Sequence, residues 1–440
     1  MARSLIHISD NDVNGKPIDN PTDVDNLSCF VGKKIKQLVN EENLLIFPYS
    51  LSEYGDELGE QSIGSLQVID KKTRLCTSNV MGFVGKGDTQ LRIYSRFGNE
   101  KDDFFLYYML CRVLSINIFD LPYSQGVNSS LDMLLLLFPY YLSKAMEQGL
   151  YKEYCTNRNN DANVRGVIDI NRHIQKNIPF KGSVAYNNRA RTADNMLTQL
   201  VRHTIEYIRQ QPMGAAVLER DNDIRAYVSM MIEATPSFSS RERMYVINQN
   251  LRPKIHPYYS EYRPLQQLCL QILRHEDIST GAESEQIFGI LFDGAWLWEE
   301  YMDTILHPLN FEHPQNKVGK HKKYLFTDSS GIRYPDFYHP DTKVVLDAKY
   351  KCLETKSRVS EIDRDDIHQV ISYMHILQSP QGGFLFPSTS SAESPTSTLH
   401  GYGGQMALYP LLIPVAPDWS SFIQSMRNSE EKLVKHIPVS

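Results

Sequence analysis

Asp336 and Asp347, with Lys349 two positions beyond the second, are residues whose types and spacing could do chemistry; they lie in YPDFYHPDTKVVLDAKYK, from Tyr334 to Lys351. Pro340, Asp341 and Thr342 are turn formers. The stretch therefore predicts a β-hairpin whose loop, centred between 341 and 342, pairs 338 with 345 and 336 with 347. Like charges directly opposed on one sheet face repel, so a hairpin that keeps both Asp residues needs something positive beside them. Lys349 shares the face of Asp347, and the opposite face, Val344, Leu346 and Ala348, is predicted to meet a core. Two carboxylates and a lysine suit metal-assisted phosphodiester hydrolysis. Oxygen ligands suit Mg²⁺, which acidifies a bound water and shields the charge that builds on phosphorus. The lysine can orient or deprotonate that water, or stabilise the pentacoordinate phosphate. By spacing alone the pattern equally describes an exposed hairpin with an ordinary ion pair.

Further residues can join this set. A helix is predicted from Glu283 to Leu306, with an apolar stripe of Phe288, Phe292, Ala295, Met302 and Leu306 and with Glu299 in its middle. Glu300 lies about 100° further round the helix. A carboxylate on a core-facing stripe is costly unless paired or bound to a metal, which makes Glu299 a candidate third acidic group. A rival stripe, Ile287, Leu291, Trp298, Tyr301 and Ile305, leaves Glu299 at the edge of the buried face instead. Downstream, Gln369 and Tyr373 are spaced to share one face of a helix and reach a phosphate or orient Lys349.

The elements that must position these groups fall into three zones: a β-rich domain over 1–100, a mainly helical middle over 101–262, and an α/β domain over 263–440. Short β-like runs such as SNVMGFVG and TQLRIYSRF mark the first. Helical periodicity marks DDFFLYYMLCRVL, ADNMLTQLVRHTIEYIRQ and IRAYVSMMIEA, with RGVIDINRHI and GSVAYNN read as strands between them. The third zone alternates KYLF, IRYPDFYH, KVVLDAKYK, the helix DDIHQVISYMHIL, GFLFP and QMALYPLLIP, and Ser388–Gly404 reads as a flexible loop between the last two.

With 41% hydrophobic and 22% charged residues, the chain excludes bulk disorder. Its formal charge of −6 excludes a generally basic nucleic-acid binder, yet Lys317–Arg358 holds ten Lys or Arg against five Asp or Glu. Such a patch can hold phosphates, or be a solvated face. The six cysteines form no CxxC pair, which argues for buried thiols in a reducing cytoplasm rather than zinc or disulfides. The apolar run LDMLLLLFPYYL is too short to span a bilayer and reads as a buried helix, and the polar start has no export signal, so no membrane is expected.

Helix Glu, strand Asp, strand Asp-x-Lys and helix Gln-x-x-x-Tyr, in order within about 75 residues, resemble the PD-(D/E)xK nuclease core in its RecB-like form. LRIYSRFGNEKDDFFLYYML, RGVIDINRHI leading to DNMLTQLVRHTIEYI, and LWEEYM widen the likeness. From about residue 60 onward the chain resembles the McrC family, the nuclease subunit of McrBC-type 5-methylcytosine restriction systems; residues 1–28 match nothing. The resemblance implies that Asp336, Asp347 and Lys349 cut methylated double-stranded DNA with Mg²⁺, or Mn²⁺ in its place. It also implies that the N-terminal portion docks on a ring of McrB, an AAA+ GTPase that the chain stimulates. No GxxxxGK[ST] segment is present, so GTP or ATP belongs to the partner. Arg74, Lys86 and Arg96 are candidates to reach into that ring. The alternatives are a non-catalytic adaptor of an AAA+ ring and a stand-alone RecB-like exonuclease.

Overall fold

A strand that the sequence pattern assigns to a helix organises the molecule. In the computed structural model, which describes residues 4–48, 57–118, 121, 128–251, 255–279, 287–314, 322–356, 358–390, 395–401 and 403–438, FGILFD forms the strand Phe288–Asp293. It lies between Val80–Lys86, antiparallel, and Asn43–Phe47, parallel. The sheet is completed by Thr89–Tyr94 and Ser4–Ser9, in the order Ser4–Ser9, Thr89–Tyr94, Val80–Lys86, Phe288–Asp293, Asn43–Phe47. A short apolar run fits either period, and here its burial on both faces decides for a strand. Gly289 shows how close the neighbour comes: at φ +138° a Cβ would lie 2.1 Å from the Phe83 carbonyl oxygen. The predicted helix over 283–306 is thereby corrected to Gly294–Leu306, and 283–286 lie outside the described residues.

The second sheet orders Phe337–Tyr338, Val345–Ala348, Gln381–Ser388, Gln405–Leu412 and Thr396–Thr398. Its first pair is antiparallel, and the next two pairings are parallel. Thr396–Thr398 pairs with Gln405–Leu412, so part of the expected loop over 388–404 is an edge strand; 391–394 and 402 are not described. Helix Arg364–Leu377 makes the crossover and packs Val370 and Met374 against Phe384, Phe386, Met406 and Leu408. Val345 and Leu346 are both wholly buried, on opposite faces, so the hairpin strand is covered on both sides rather than the one the sequence predicts.

Two compact units result: residues Met1–Leu136 together with Asp277–Ser440, and Leu137–Glu276. The expected boundaries at 100/101 and 262/263 therefore give way to an insertion within a discontinuous unit, because Phe288–Asp293 is hydrogen-bonded inside the N-terminal sheet. The middle unit also carries more β structure than expected. Glu153–Asp161 and Val184–Thr192 form a long antiparallel hairpin, while RGVIDINRHI contributes only the strand Val167–Ile168 before turning into helix Ile170–Asn177, capped by Asp169. Cys76, Cys111 and Cys269 are buried, whereas Cys29 and Cys155 are half-buried and Cys352 is exposed, against the expectation of buried thiols. Among the described residues no helix is long and apolar enough to cross a membrane.

Candidate active site

The hairpin register follows the turn chemistry. Phe337 pairs with Leu346 and Tyr338 with Val345, which leaves Asp336, just before its strand, opposite Asp347. Asp336 Oδ2 accepts the Ala348 amide at 2.7 Å, so the carboxylate is fixed to the strand that bears its rival. Asp347 is wholly buried. Its Oδ2 lies 2.8 Å from Lys349 Nζ, and Oδ1 is buried with no hydrogen bond.

Lys349 is the positive partner that the opposed charges require. Its ammonium also donates to Gln369 Oε1 at 3.1 Å and lies 3.4 Å from Asp366 Oδ1. Gln369 Nε2 in turn donates to the Tyr373 hydroxyl at 2.9 Å. Helix Arg364–Leu377 holds this chain of contacts; it is started by Asp363, whose side chain accepts the Asp365 amide, and is stopped by Gln378 in the left-handed region. Asp366, which also binds Lys351 at 2.7 Å, was not singled out from the sequence. Its spacing of three from Gln369 was the available signal.

Glu299 reaches the same place from helix Gly294–Leu306, which Asp293 caps through the Ala295 and Trp296 amides. Leu297, Trp298, Tyr301, Met302, Ile305 and Leu306 are buried, so the rival stripe, joined by Met302 and Leu306, faces the core. Glu299 sits at its edge with a third of its side chain exposed. The helix is close to the hairpin because it begins with Gly294, where a Cβ would lie 2.9 Å from the Tyr350 ring. Trp298 Nε1 donates to the Leu385 carbonyl, and Lys349 N donates to the same oxygen. His313, another residue without a sequence signal, closes the group. It stacks on Phe337, and its Nδ1 lies 2.8 Å from the Asp336 carbonyl. Its Nε2 lies 3.7 Å from a carboxylate oxygen of both Glu299 and Glu300.

Crowding of acids shapes the electrostatics. Burial, and then the Asp336 charge, push Asp347 up to about 8. Burial, and then Glu299, raise Asp336 to about 7. Burial raises Glu299 to about 7 despite His313. For Lys349, burial alone would favour the neutral amine, but Asp347 and Asp336 outweigh it and raise its pKa, so it is a cation. The Glu300 contact, the Asp336 carbonyl and the Glu299 charge likewise overcome burial and lift His313 to about 9. Among the described residues no three His, Cys, Asp or Glu side chains converge tightly enough to hold an ion as they stand. The donor set nevertheless fits a hard divalent cation: an orphaned buried carboxylate oxygen and three carboxyl groups held above their ordinary range are what an added positive charge would relieve.

The cationic stretch is partly consumed by such pairs, Lys351 with Asp366 and Lys323 with Glu312; Lys317 and Lys320 lie outside the described residues. Arg96 is turned inward: its Nε donates to Asp10 at 2.9 Å and its guanidinium lies over the Tyr350 ring, so it supports the strand after Lys349 rather than reaching outward. Arg74 donates to the Asn14 and Gly15 carbonyls, and Lys86 Nζ lies 3.0 Å from Cys29 Sγ.

No curated protein matches the chain in sequence. Among solved structures it is similar to a chain of the half-complex from the tetradecameric assembly of Thermococcus gammatolerans McrB AAA+ hexamers with bound McrC, with 16% identity, 99% of this chain and 100% of that chain covered, and a TM-score of 0.52. A chain of the Thermococcus gammatolerans McrBC complex matches at 16% identity over 70% and 88% of the two chains, with a TM-score of 0.33. The first likeness shows a shared mixed α/β fold. In sequence, a family model described as McrBC 5-methylcytosine restriction system component matches residues 75–387, a span that contains the opposed aspartates, Lys349 and the Gln369 helix. The chain belongs to that family.

Proposed function

We propose that the chain is the Mg²⁺-dependent DNA endonuclease subunit of a modification-dependent restriction system, with a PD-(D/E)xK nuclease domain that acts when docked on an AAA+ NTPase ring. The observation that carries this reading is the half-buried Asp336 facing the wholly buried Asp347 beside the Lys349 ammonium. Uncompensated carboxylates are expensive to bury, and a merely structural hairpin gains nothing from keeping them. Asp336, Asp347 and Glu299 would hold the ion, Mg²⁺ or Mn²⁺. When bound, it supplies an acidified water and shields charge on the scissile phosphate.

Lys349 is steered by Gln369 and Asp366, and the carboxylates beside it favour its protonated form, which places a cation toward the pentacoordinate phosphate. Tyr373 holds the Gln369 amide so that its carbonyl faces the lysine. His313 orients the Asp336 backbone and offsets the charge of Glu299 and Glu300.

Family membership and the solved assembly of McrB hexamers with bound McrC support an AAA+ partner that hydrolyses GTP or ATP and delivers methylated double-stranded DNA. The test is cleavage of a methylated, covalently closed plasmid by the chain with its AAA+ partner, Mg²⁺ and GTP or ATP. Wild type is expected to cut and Asp347→Ala to lose cutting while still stimulating nucleotide hydrolysis. Stimulation by both proteins without cutting by either favours a non-catalytic adaptor. Degradation of linear DNA alone favours an exonuclease.

A further inference from the structure

The middle unit carries a second cluster of charged and aromatic side chains, around a cavity of about 700 Å³ at the open end of its long hairpin. Arg191 pairs across the hairpin with Tyr154, and Arg189 follows two residues on, so both arginines share the face of Tyr154 and Lys152. The Arg189 guanidinium lies 5.1 Å from the centroid of the Tyr154 ring. Across the cavity stand His256 and Tyr258, and a buried floor is formed by Tyr259 and Tyr151, whose rings meet edge to face.

Two properties separate this cavity from an ordinary surface recess. Tyr154 and Tyr258 are 64% and 67% exposed, so large ring faces are presented to solvent beside it. Lys152, Arg189 and Arg191 line it against the single carboxylate Glu153, which is engaged by Cys155 and Tyr151. Arg158 continues the same face two residues beyond Thr156. From Lys152 to Arg158 the cationic face runs about 20 Å, longer than one nucleotide needs. Exposed aromatic rings interleaved with cations along a track are the chemistry that holds unpaired bases by stacking and their phosphates by charge, without reading sequence.

We infer that this hairpin face binds single-stranded nucleic acid, with bases on Tyr154 and Tyr258 and phosphates on Lys152, Arg189 and Arg191. The inference does not rest on the nuclease reading, since none of these residues belongs to that site. The test is fluorescence anisotropy of a labelled oligo(dT) 20-mer with the full-length chain in EDTA, over a salt series. Tyr154→Ala and Tyr258→Ala are each expected to weaken binding about tenfold. The double variant Arg189→Gln, Arg191→Gln is expected to reduce the slope of log affinity against log salt by about 1.4. Lys36→Gln, an exposed lysine of the other unit, is expected to bind as wild type. Because Tyr154 and Tyr258 are exposed, thermal melts of their variants should match wild type, which separates lost contact from lost fold. Unchanged binding by all hairpin variants overturns the proposal, as does equal weakening by Lys36→Gln. Tighter binding of a 20-bp duplex with the same tyrosine dependence also overturns it, because paired bases offer no free faces to the rings.

Discussion

At the scale of single residues, the candidate active site is held in an unfavourable charge state, and that has a sign. Asp347 titrates near about 8 and Asp336 and Glu299 near about 7, above the value of about 4 expected in an unfolded chain. Between those values the folded state keeps protons that the unfolded chain has released, so stability falls as pH rises from about 4 to about 8. The metal-free protein should therefore lose melting temperature across that window, and Asp347→Asn, which does not ionise, should flatten the decline. A wild type with a level melting temperature from about pH 5 to 8 would refute the charge argument. Lys349→Ala should lower cleavage by about 10²- to 10³-fold while calorimetry still detects Mg²⁺ binding; lost ion affinity would make the lysine a structural support instead. Glu299→Gln should reduce cleavage more than Glu300→Gln, since Glu299 is the helix carboxylate whose charge acts on Asp336. Equal effects would remove Glu299 from the ligand set.

At the scale of elements, what matters is how closely the Glu299 helix approaches the Asp347 strand. Gly294 sets that approach, because a methyl group there meets the buried Tyr350 ring at 2.9 Å. Gly294→Ala is expected to destabilise by about 1–3 kcal/mol through overpacking and to slow cleavage by moving Glu299 away. Unchanged denaturation midpoint and cleavage would show that the ring yields freely. The hairpin itself was legible beforehand: Pro340, Asp341 and Thr342 dictated a register that brings 336 against 347. The helix before it was misjudged at its N-terminal half, yet Glu299 still reached the site. Its placement at the edge of the buried face came from the stripe of Trp298, Tyr301 and Ile305, not from the Phe288 and Phe292 stripe, which belongs to a strand.

At the scale of the whole molecule, the N-terminal sheet and the sheet that carries Asp336 and Asp347 belong to one discontinuous unit. Tyr350, directly after Lys349, hydrogen-bonds Ser95 at 2.7 Å and packs on Phe97, so the strand of Asp347 is anchored in residues far upstream. A second tie is Glu430 on the C-terminal helix Trp419–His436. It accepts from Arg112 at 2.9 Å, Tyr108 at 2.9 Å and Tyr301 at 2.6 Å, joining that helix to Phe104–Val113 and to the Glu299 helix. Removing one partner leaves the Arg112 charge half-buried and unpaired, so Glu430→Ala should cost about 3–5 kcal/mol, read from chemical denaturation. A loss within about 0.5 kcal/mol, the range of ordinary surface substitutions, would show that solvent replaces the carboxylate.

The sequence by itself determined the features whose causes are local. Turn residues and period-two alternation specified the hairpin and the facing of Asp336 and Asp347, and helical spacing put Gln369 and Tyr373 on one face. Only the tertiary structure decided what depends on residues far apart in the chain. FGILFD is a strand because an N-terminal sheet supplies hydrogen-bond partners on both its edges. His313 and Asp366 join the site because separate segments fold onto the hairpin. The middle segment is an insertion because chain order does not constrain which strands pair. Backbone hydrogen bonds and burial choose partners by proximity in space, and a single chain's pattern records only the spacing along itself.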